Sequence, residues 1–218
     1  MAQKTIKFYF DPISPYAWLG WKNYQLIKKI NDIDTEVIPV LFAGLLNFHK
    51  NIGPAEIPAK RVAIFSDIIR KAELSGHKFK GPPTHPFNPL KPLRICLAIS
   101  NMEKRILYTD LLLTGIWENG EGPTSEDFLK KIIKKCGENP EEILKLSQGQ
   151  KIKNKFKEDN EYYAKNSIFG VPTFQIDSHI FWGADQIPII EKYLNGQLDL
   201  KEEVVKEFLS RPSSASRT

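Results

Sequence analysis

Cysteine is scarce: Cys96 and Cys136 are the only two thiols in 218 residues. They stand 40 positions apart, which excludes a disulfide scaffold and any Cys-x-x-Cys redox or zinc motif. They read as two buried or half-buried thiols in a reducing cytoplasm. Long apolar runs are also missing, and nothing approaches the ~18–20 residues that a membrane helix needs. Met1-Ala2-Gln3-Lys4-Thr5 leads into a short strand pattern and not into a signal-peptide core. Charge of one sign is not concentrated: 31 Lys and Arg against 26 Asp and Glu leave a net +5. The densest basic run, Lys145 to Lys157, is interleaved with Gln and Asn and reads as a solvated helix face. A nucleic-acid partner is therefore not expected. The four histidines, His49, His77, His85 and His179, show no metal-ligand spacing, so no metal is expected either.

What remains is core-forming material. Apolar residues make up 41% of the chain and aromatics 11%, enough for a soluble packed domain. At roughly 150 residues per domain, the length allows one large domain or two small ones.

Thr5-Ile6-Lys7-Phe8-Tyr9-Phe10 alternates and is rich in β-formers, so it predicts a strand. Asp11 to Pro15 predicts a turn, with Ser14 at a helix N-cap and Pro15 at the first helical position. Tyr16, Leu19, Tyr24, Ile27 and Ile30 then keep helical spacing. A second strand is predicted at Thr35 to Val40. A strand, a helix and a strand in this order imply a parallel pair.

Beyond Pro54 the character changes to helix. Helical patterns cover 55–75, 89–101, 103–118, 125–136, 140–147 and 149–166. Gly81 to Pro89 holds four prolines in nine positions and predicts an extended loop, while Ser125 suits a helix cap. Strand signals return at Pro172 to Ile176 and Ile180 to Trp182, around an Asp177-Ser178-His179 turn. A helix follows over 185–194, and Ser210 to Thr218 predicts a frayed tail. The order β-α-β, helical block, β-β-α predicts an α/β, thioredoxin-like fold with a large inserted all-helical domain. The expected division is 1–50 with 165–200 for the thioredoxin-like part and 51–164 for the insertion, followed by a C-terminal helix and tail over 201–218.

Three places could carry chemistry. Ser14-Pro15-Tyr16-Ala17 opens a helix directly after a strand. Ser14 is either a plain N-cap or a hydroxyl that, with the helix dipole, holds an anion such as a thiolate. Gly170-Val171-Pro172-Thr173 offers a candidate cis-proline, with Val171 exposing backbone groups to an extended ligand; an ordinary edge-strand proline is the alternative. Asp185, in Gly183-Ala184-Asp185-Gln186, is either an N-cap or a carboxylate for the ammonium of an amino-acid end.

Together these segments resemble the 2-hydroxychromene-2-carboxylate isomerase family and its kappa-class glutathione transferase relatives, within the DsbA-like group. The resemblance runs from about residue 5 to 195. It is carried by Phe10 to Gly20, Pro39 to Asn47, Gly53 to Arg61, His85 to Leu90, Gly170 to Phe174 and Phe181 to Asp185. It implies a glutathione-dependent cis-trans isomerase interconverting 2-hydroxychromene-2-carboxylate and trans-o-hydroxybenzylidenepyruvate. A kappa-type transferase or peroxidase, or a non-catalytic glutathione-binding module, is the alternative. It implies glutathione as cofactor, with Ser14 holding its sulfur, Val171 beside cis Pro172 pairing its cysteinyl backbone, and Asp185 meeting its γ-glutamyl ammonium. Asn47 and Lys60 would contact its backbone and glycyl carboxylate. A small aromatic carboxylate would be the substrate, against a wall of Trp18, Phe87 and Asn88, with Trp18 equally suited to the core. A cytoplasmic homodimer that touches no membrane is implied as well. The Ala55-to-Lys60 and His85-to-Leu90 segments favour the isomerase branch. One departure stands out: relatives often carry Gly-Ser-Asp-Arg where this chain has Gly183-Ala184-Asp185-Gln186, so a hydroxyl contact and a basic group are missing.

Overall fold

Strand β1 (Thr5–Phe10) turns Ile6, Phe8 and Phe10 to one face and Tyr9 to the other, and all four are buried. A strand covered on both faces belongs at the centre of a sheet, and β1 sits there. The computed structural model describes residues 4–30 and 33–214, so the expectations for residues 1–3 and 215–218 lie outside it. Helix α1 (Pro15–Ile30) returns the chain to β2 (Asp34–Pro39), which pairs with β1 in parallel from Thr5↔Asp34 to Phe10↔Pro39. Strands β3 (Thr173–Ile176) and β4 (His179–Trp182) form an antiparallel hairpin. β3 lies antiparallel to β1, completing the mixed order β2-β1-β3-β4.

Helices intervene between β2 and β3. They are α2 (Phe42–Phe48), α3 (Pro58–Leu74), α4 (Leu90–Ala98), α5 (Met102–Trp117), α6 (Glu126–Lys135), α7 (Pro140–Gln148) and α8 (Gln150–Lys165). A single 3-10 turn, Pro54–Glu56, precedes α3. After the hairpin come a second 3-10 turn (Ala184–Gln186), α9 (Ile187–Leu194) and α10 (Glu202–Leu209), which buries no residue. Local chemistry sets several boundaries. The side chains of Asn101, Ser125 and Asn139 accept from first-turn N–H groups of α5, α6 and α7. Helix α2 was not foreseen from the sequence.

One buried cluster runs without interruption from the sheet into the helices, from Phe8, Trp21 and Phe174 to Tyr108, Leu112 and Ile116. Phe8 is its hub, with ring centroids 5.0 Å from both Trp21 and Phe174 and 5.5 Å from Phe10. Three buried indoles also tie parts of the chain together by donating hydrogen bonds. Trp21 Nε1 donates to Asp110 Oδ1, Trp18 Nε1 to Glu118 Oε1, and Trp117 Nε1 to the Pro12 carbonyl, each at 3.0 Å. A smaller cluster (Tyr9, Ile38, Val40, Leu45, Ala164, Ile168 and Val171) fills the opposite sheet face beneath α2 and α8.

Both cysteines are buried and free. Burial pushes each thiol up to about 11, so neither is poised to act as a thiolate. No helix among the described residues is long and apolar enough to cross a membrane.

Candidate functional site

The site forms where β1 gives way to α1. Asp11, fully buried, turns the chain: its Oδ1 accepts from Ile13 N at 3.0 Å, and its carbonyl accepts from Ser14 N at 3.0 Å. Its Oδ2 accepts from Phe42 N at 2.9 Å, so the same carboxyl starts α2. Burial outweighs these two donors and raises the Asp11 carboxyl from 3.8 to about 7.

Ser14, only 9% exposed, is the N-cap of α1: its Oγ accepts from Ala17 N at 3.3 Å. The same hydroxyl donates weakly to the Val171 carbonyl, 3.5 Å away and 157 residues on in sequence. The Val171–Pro172 peptide is cis, as anticipated, and a second cis bond joins His85 to Pro86. No acidic residue occupies the first turn of α1, while Lys28 and Lys29 lie in its last. The positive end of the helix dipole at Ser14 is therefore uncompensated by the helix's own side chains and favours an anion.

A missing side chain makes this meeting possible. A Cβ on Gly20 would stand 3.2 Å from Pro172 Cγ and 3.4 Å from Ala184 Cα, so glycine lets α1 approach both the cis-proline and the turn carrying Asp185. Gly183, at φ +117, lets the chain fold so that the Asp185 carboxylate lies over its own Cα.

Ser14, Val171 and Pro172 therefore meet directly. The turn that carries Asp185 comes near them at Gly20, which lies against both Pro172 and Ala184, while the Tyr16 phenol, raised by burial and by the Asp67 carboxylate, donates to Asp67 Oδ2 at 2.6 Å. Asp185 does not cap α9: that helix has no side-chain cap, and among the described residues the exposed carboxylate accepts only from Gln186 Nε2, at 3.3 Å. Asn47 and Lys60 stand exposed on α2 and early α3. Phe87 is half-buried beside His85, with ring centroids 6.2 Å apart, and Asn88 is exposed with its Oδ1 accepting from Leu90 N at 3.0 Å. Trp18 is corrected: it is 0% exposed, wedged against Phe79 and His77 and bound to Glu118, so it belongs to the core and not to a substrate wall.

Two residues escaped sequence reasoning. Asp11 was visible as a turn residue, but its bond to Phe42 lies 31 positions away. His85 reads from sequence only as part of a proline loop, yet its Nε2 lies 3.0 Å from the Ile13 carbonyl, 72 positions back. No local signal marks either long-range contact.

The model of the DSBA-like thioredoxin domain matches residues 5–195. The chain belongs to that family. Family members similar to it include a Caenorhabditis elegans protein named glutathione S-transferase kappa 2, 24% identical over 209 residues, which cover 88% of this chain and 92% of that one. A Sphingobium xenophagum 2-hydroxychromene-2-carboxylate isomerase is 23% identical over 195 residues, covering 88% and 98%. A solved structure of 2-hydroxychromene-2-carboxylate isomerase matches with a TM-score of 0.82 at 18% identity, covering 95% of this chain and all of the other. The DsbA-like thioredoxin fold expected from the sequence is thereby shown, and its relatives are isomerases and glutathione transferases. In this DsbA-like chain the hydroxyl of Ser14, and not a thiol, opens the helix beside the cis-proline.

Proposed function

We propose that this DsbA-like protein is a glutathione-dependent cis-trans isomerase acting on a small aromatic carboxylate of the 2-hydroxychromene-2-carboxylate type. One observation carries the reading: a buried serine hydroxyl caps a helix N-terminus and touches the carbonyl that precedes a cis-proline. Such an arrangement has an anion-favouring dipole and a hydroxyl donor but no thiol of its own.

The residues present fit glutathione. Ser14 would donate to its sulfur, and Val171 would lend backbone groups to its cysteinyl unit. Asp185 would meet its ammonium, and Asn47 and Lys60 its glycyl end. An ordinary thiol near pKa 8.5 is only a few per cent ionised at neutral pH. Lowering that value by about two units takes roughly 2.7 kcal/mol, which a helix N-terminus and one hydroxyl can together supply. When bound, glutathione would supply a thiolate that adds to a conjugated double bond, leaves a single bond free to rotate, and is expelled unchanged. The protein's part is to hold that sulfur ionised, in place and away from water. The relatives named as isomerases support this reading at low identity.

The relatives named as kappa-class transferases favour a second reading, in which the same thiolate attacks an electrophile and glutathione is consumed. A thermal-shift titration tests both, because absence of stabilisation at millimolar glutathione would leave neither standing. Incubating hydroxychromene carboxylate with the protein, with and without glutathione, separates them. A glutathione-dependent spectral change with free thiol conserved supports the isomerase, and thiol loss supports the transferase.

A further inference from the structure

Besides the Ser14 N bond to the Asp11 carbonyl, the backbone between Asp11 and Ser14 is held by three side-chain bonds of about equal length. Asp11 Oδ1 accepts from Ile13 N, Trp117 Nε1 donates to the Pro12 carbonyl, and His85 Nε2 meets the Ile13 carbonyl, all at 3.0 Å. Two of these ties come from outside the thioredoxin-like elements, from α5 and from the loop between α3 and α4. The imidazole lies edge-on to Phe65 at 5.1 Å and against Trp117 at 5.8 Å.

A carbonyl only accepts hydrogen bonds, so Nε2 carries the hydrogen and Nδ1 is left as an acceptor. Nδ1 is buried and meets no donor among the described residues. An unsatisfied buried acceptor is costly, so a residue that keeps one needs a compensating role. Proton transfer to a ligand is not that role, because Nε2 is occupied and Nδ1 is enclosed by protein. The charged group that reaches the loop is Arg61, whose Nη2 donates to the His85 carbonyl at 2.8 Å. Burial first, then the Arg61 charge, favour the neutral ring and outweigh the opposing bond to Ile13. Arg61 lies in the first turn of α3, so this tie joins α3 to the loop that carries His85.

We propose that His85 is a positioning residue that fixes the Ile13 carbonyl and thereby aims the Ser14 hydroxyl and the first turn of α1 at the thiol of the bound ligand. This inference rests on the reading of Ser14 as a thiolate holder. It gives the segment between β2 and β3 a task in the chemistry, since its α3–α4 loop supplies the ring that holds the loop before α1.

The test compares His85→Gln, His85→Asn and His85→Leu. A glutamine amide nitrogen reaches about where Nε2 sits, whereas an asparagine nitrogen reaches only the Nδ1 position. For each variant the pKa of glutathione's thiol in the complex is followed by thiolate ultraviolet absorbance, alongside turnover and melting temperature. His85→Asn and His85→Leu are expected to raise the bound thiol's pKa by about one unit. Their turnover is expected to fall roughly tenfold to hundredfold, the scale on which small misplacements of a reacting group are felt. His85→Gln is expected to recover most of both. Equal values for the glutamine and asparagine variants would overturn the proposal and leave His85 a structural residue. That comparison stands even if the leucine variant fails to fold. A wild-type complex with an unshifted thiol pKa would instead remove the Ser14 reading itself, whatever the variants do.

Discussion

On the proposed reading, the loop from Asp11 to Ser14 and a rim of Asn47, Lys60 and Asp185 would hold one ligand, but the two are built differently. The loop is buried and its polar groups are tied down by Asp11, His85 and Trp117. The rim side chains are exposed, and the Asp185 carboxylate holds only the neighbouring Gln186 amide. A fixed centre keeps its donors aimed before the ligand arrives and loses little entropy on binding. An exposed rim trades that order for adaptability, with weaker individual contacts. Chemistry is thus expected to depend on the loop and affinity on the rim.

Ser14→Ala should break this comparison most sharply. Loss of the hydroxyl should lower turnover roughly 10²–10³-fold, as for other donors that stabilise a developing charge. Loss of the cap should cost only about 1 kcal/mol of stability. Steady-state rates and thermal melts on one preparation check both, and survival of most of the rate would disprove the assignment of Ser14. Next, Gly20→Val places side-chain atoms where Pro172 and Ala184 already stand. Overpacking of this kind costs about 1–3 kcal/mol. Denaturant melts should show that loss, and calorimetry should show weaker glutathione binding, because α1 is forced away from the cis-proline.

The third prediction concerns Asp11. Its folded pKa of about 7 lies above the ordinary 3.8, so the folded protein binds that proton more tightly than the unfolded chain. The corresponding stability is complete below about 3.8 and is lost as pH rises through about 7. Unfolding free energies measured at several pH values should therefore fall across that window in the wild type, relative to Asp11→Asn. Parallel curves would show that the carboxyl does not titrate there. The smallest effects belong to the rim. Asn47→Ala, Lys60→Gln and Asp185→Asn should each raise the glutathione Kd a few-fold, equivalent to about 0.5–1.5 kcal/mol per hydrogen bond. Melting temperatures should stay unchanged, and a large fall in maximal turnover for any of them would blur the distinction between loop and rim.

The elements that sequence periodicity revealed are those whose signals lie within a few residues. β1 alternates, α1 opens on Ser14-Pro15, and α5, α6 and α7 carry Asn or Ser caps of their own. Helix α2 was missed because its start is secured from far away: Leu41 N donates to Asn160 Oδ1, 119 residues on, and Phe42 N to Asp11. Asp185 was legible as a carboxylate beside a turn but not as one that leaves α9 uncapped. Trp18 suited both core and wall, because an indole near a helix start does not declare which way it faces; burial against Phe79 decided for the core.

The sequence by itself determined the βαβ start, the helical interior, the closing hairpin and the presence of serine where a redox relative would carry cysteine. Periodicity and composition are local properties and survive without coordinates. Only the tertiary structure decided that Ser14 meets Val171, that Asp11 joins two loops, and that His85 holds the backbone of Ile13. Those contacts join residues tens of positions apart and exist only once a shared core has brought them together.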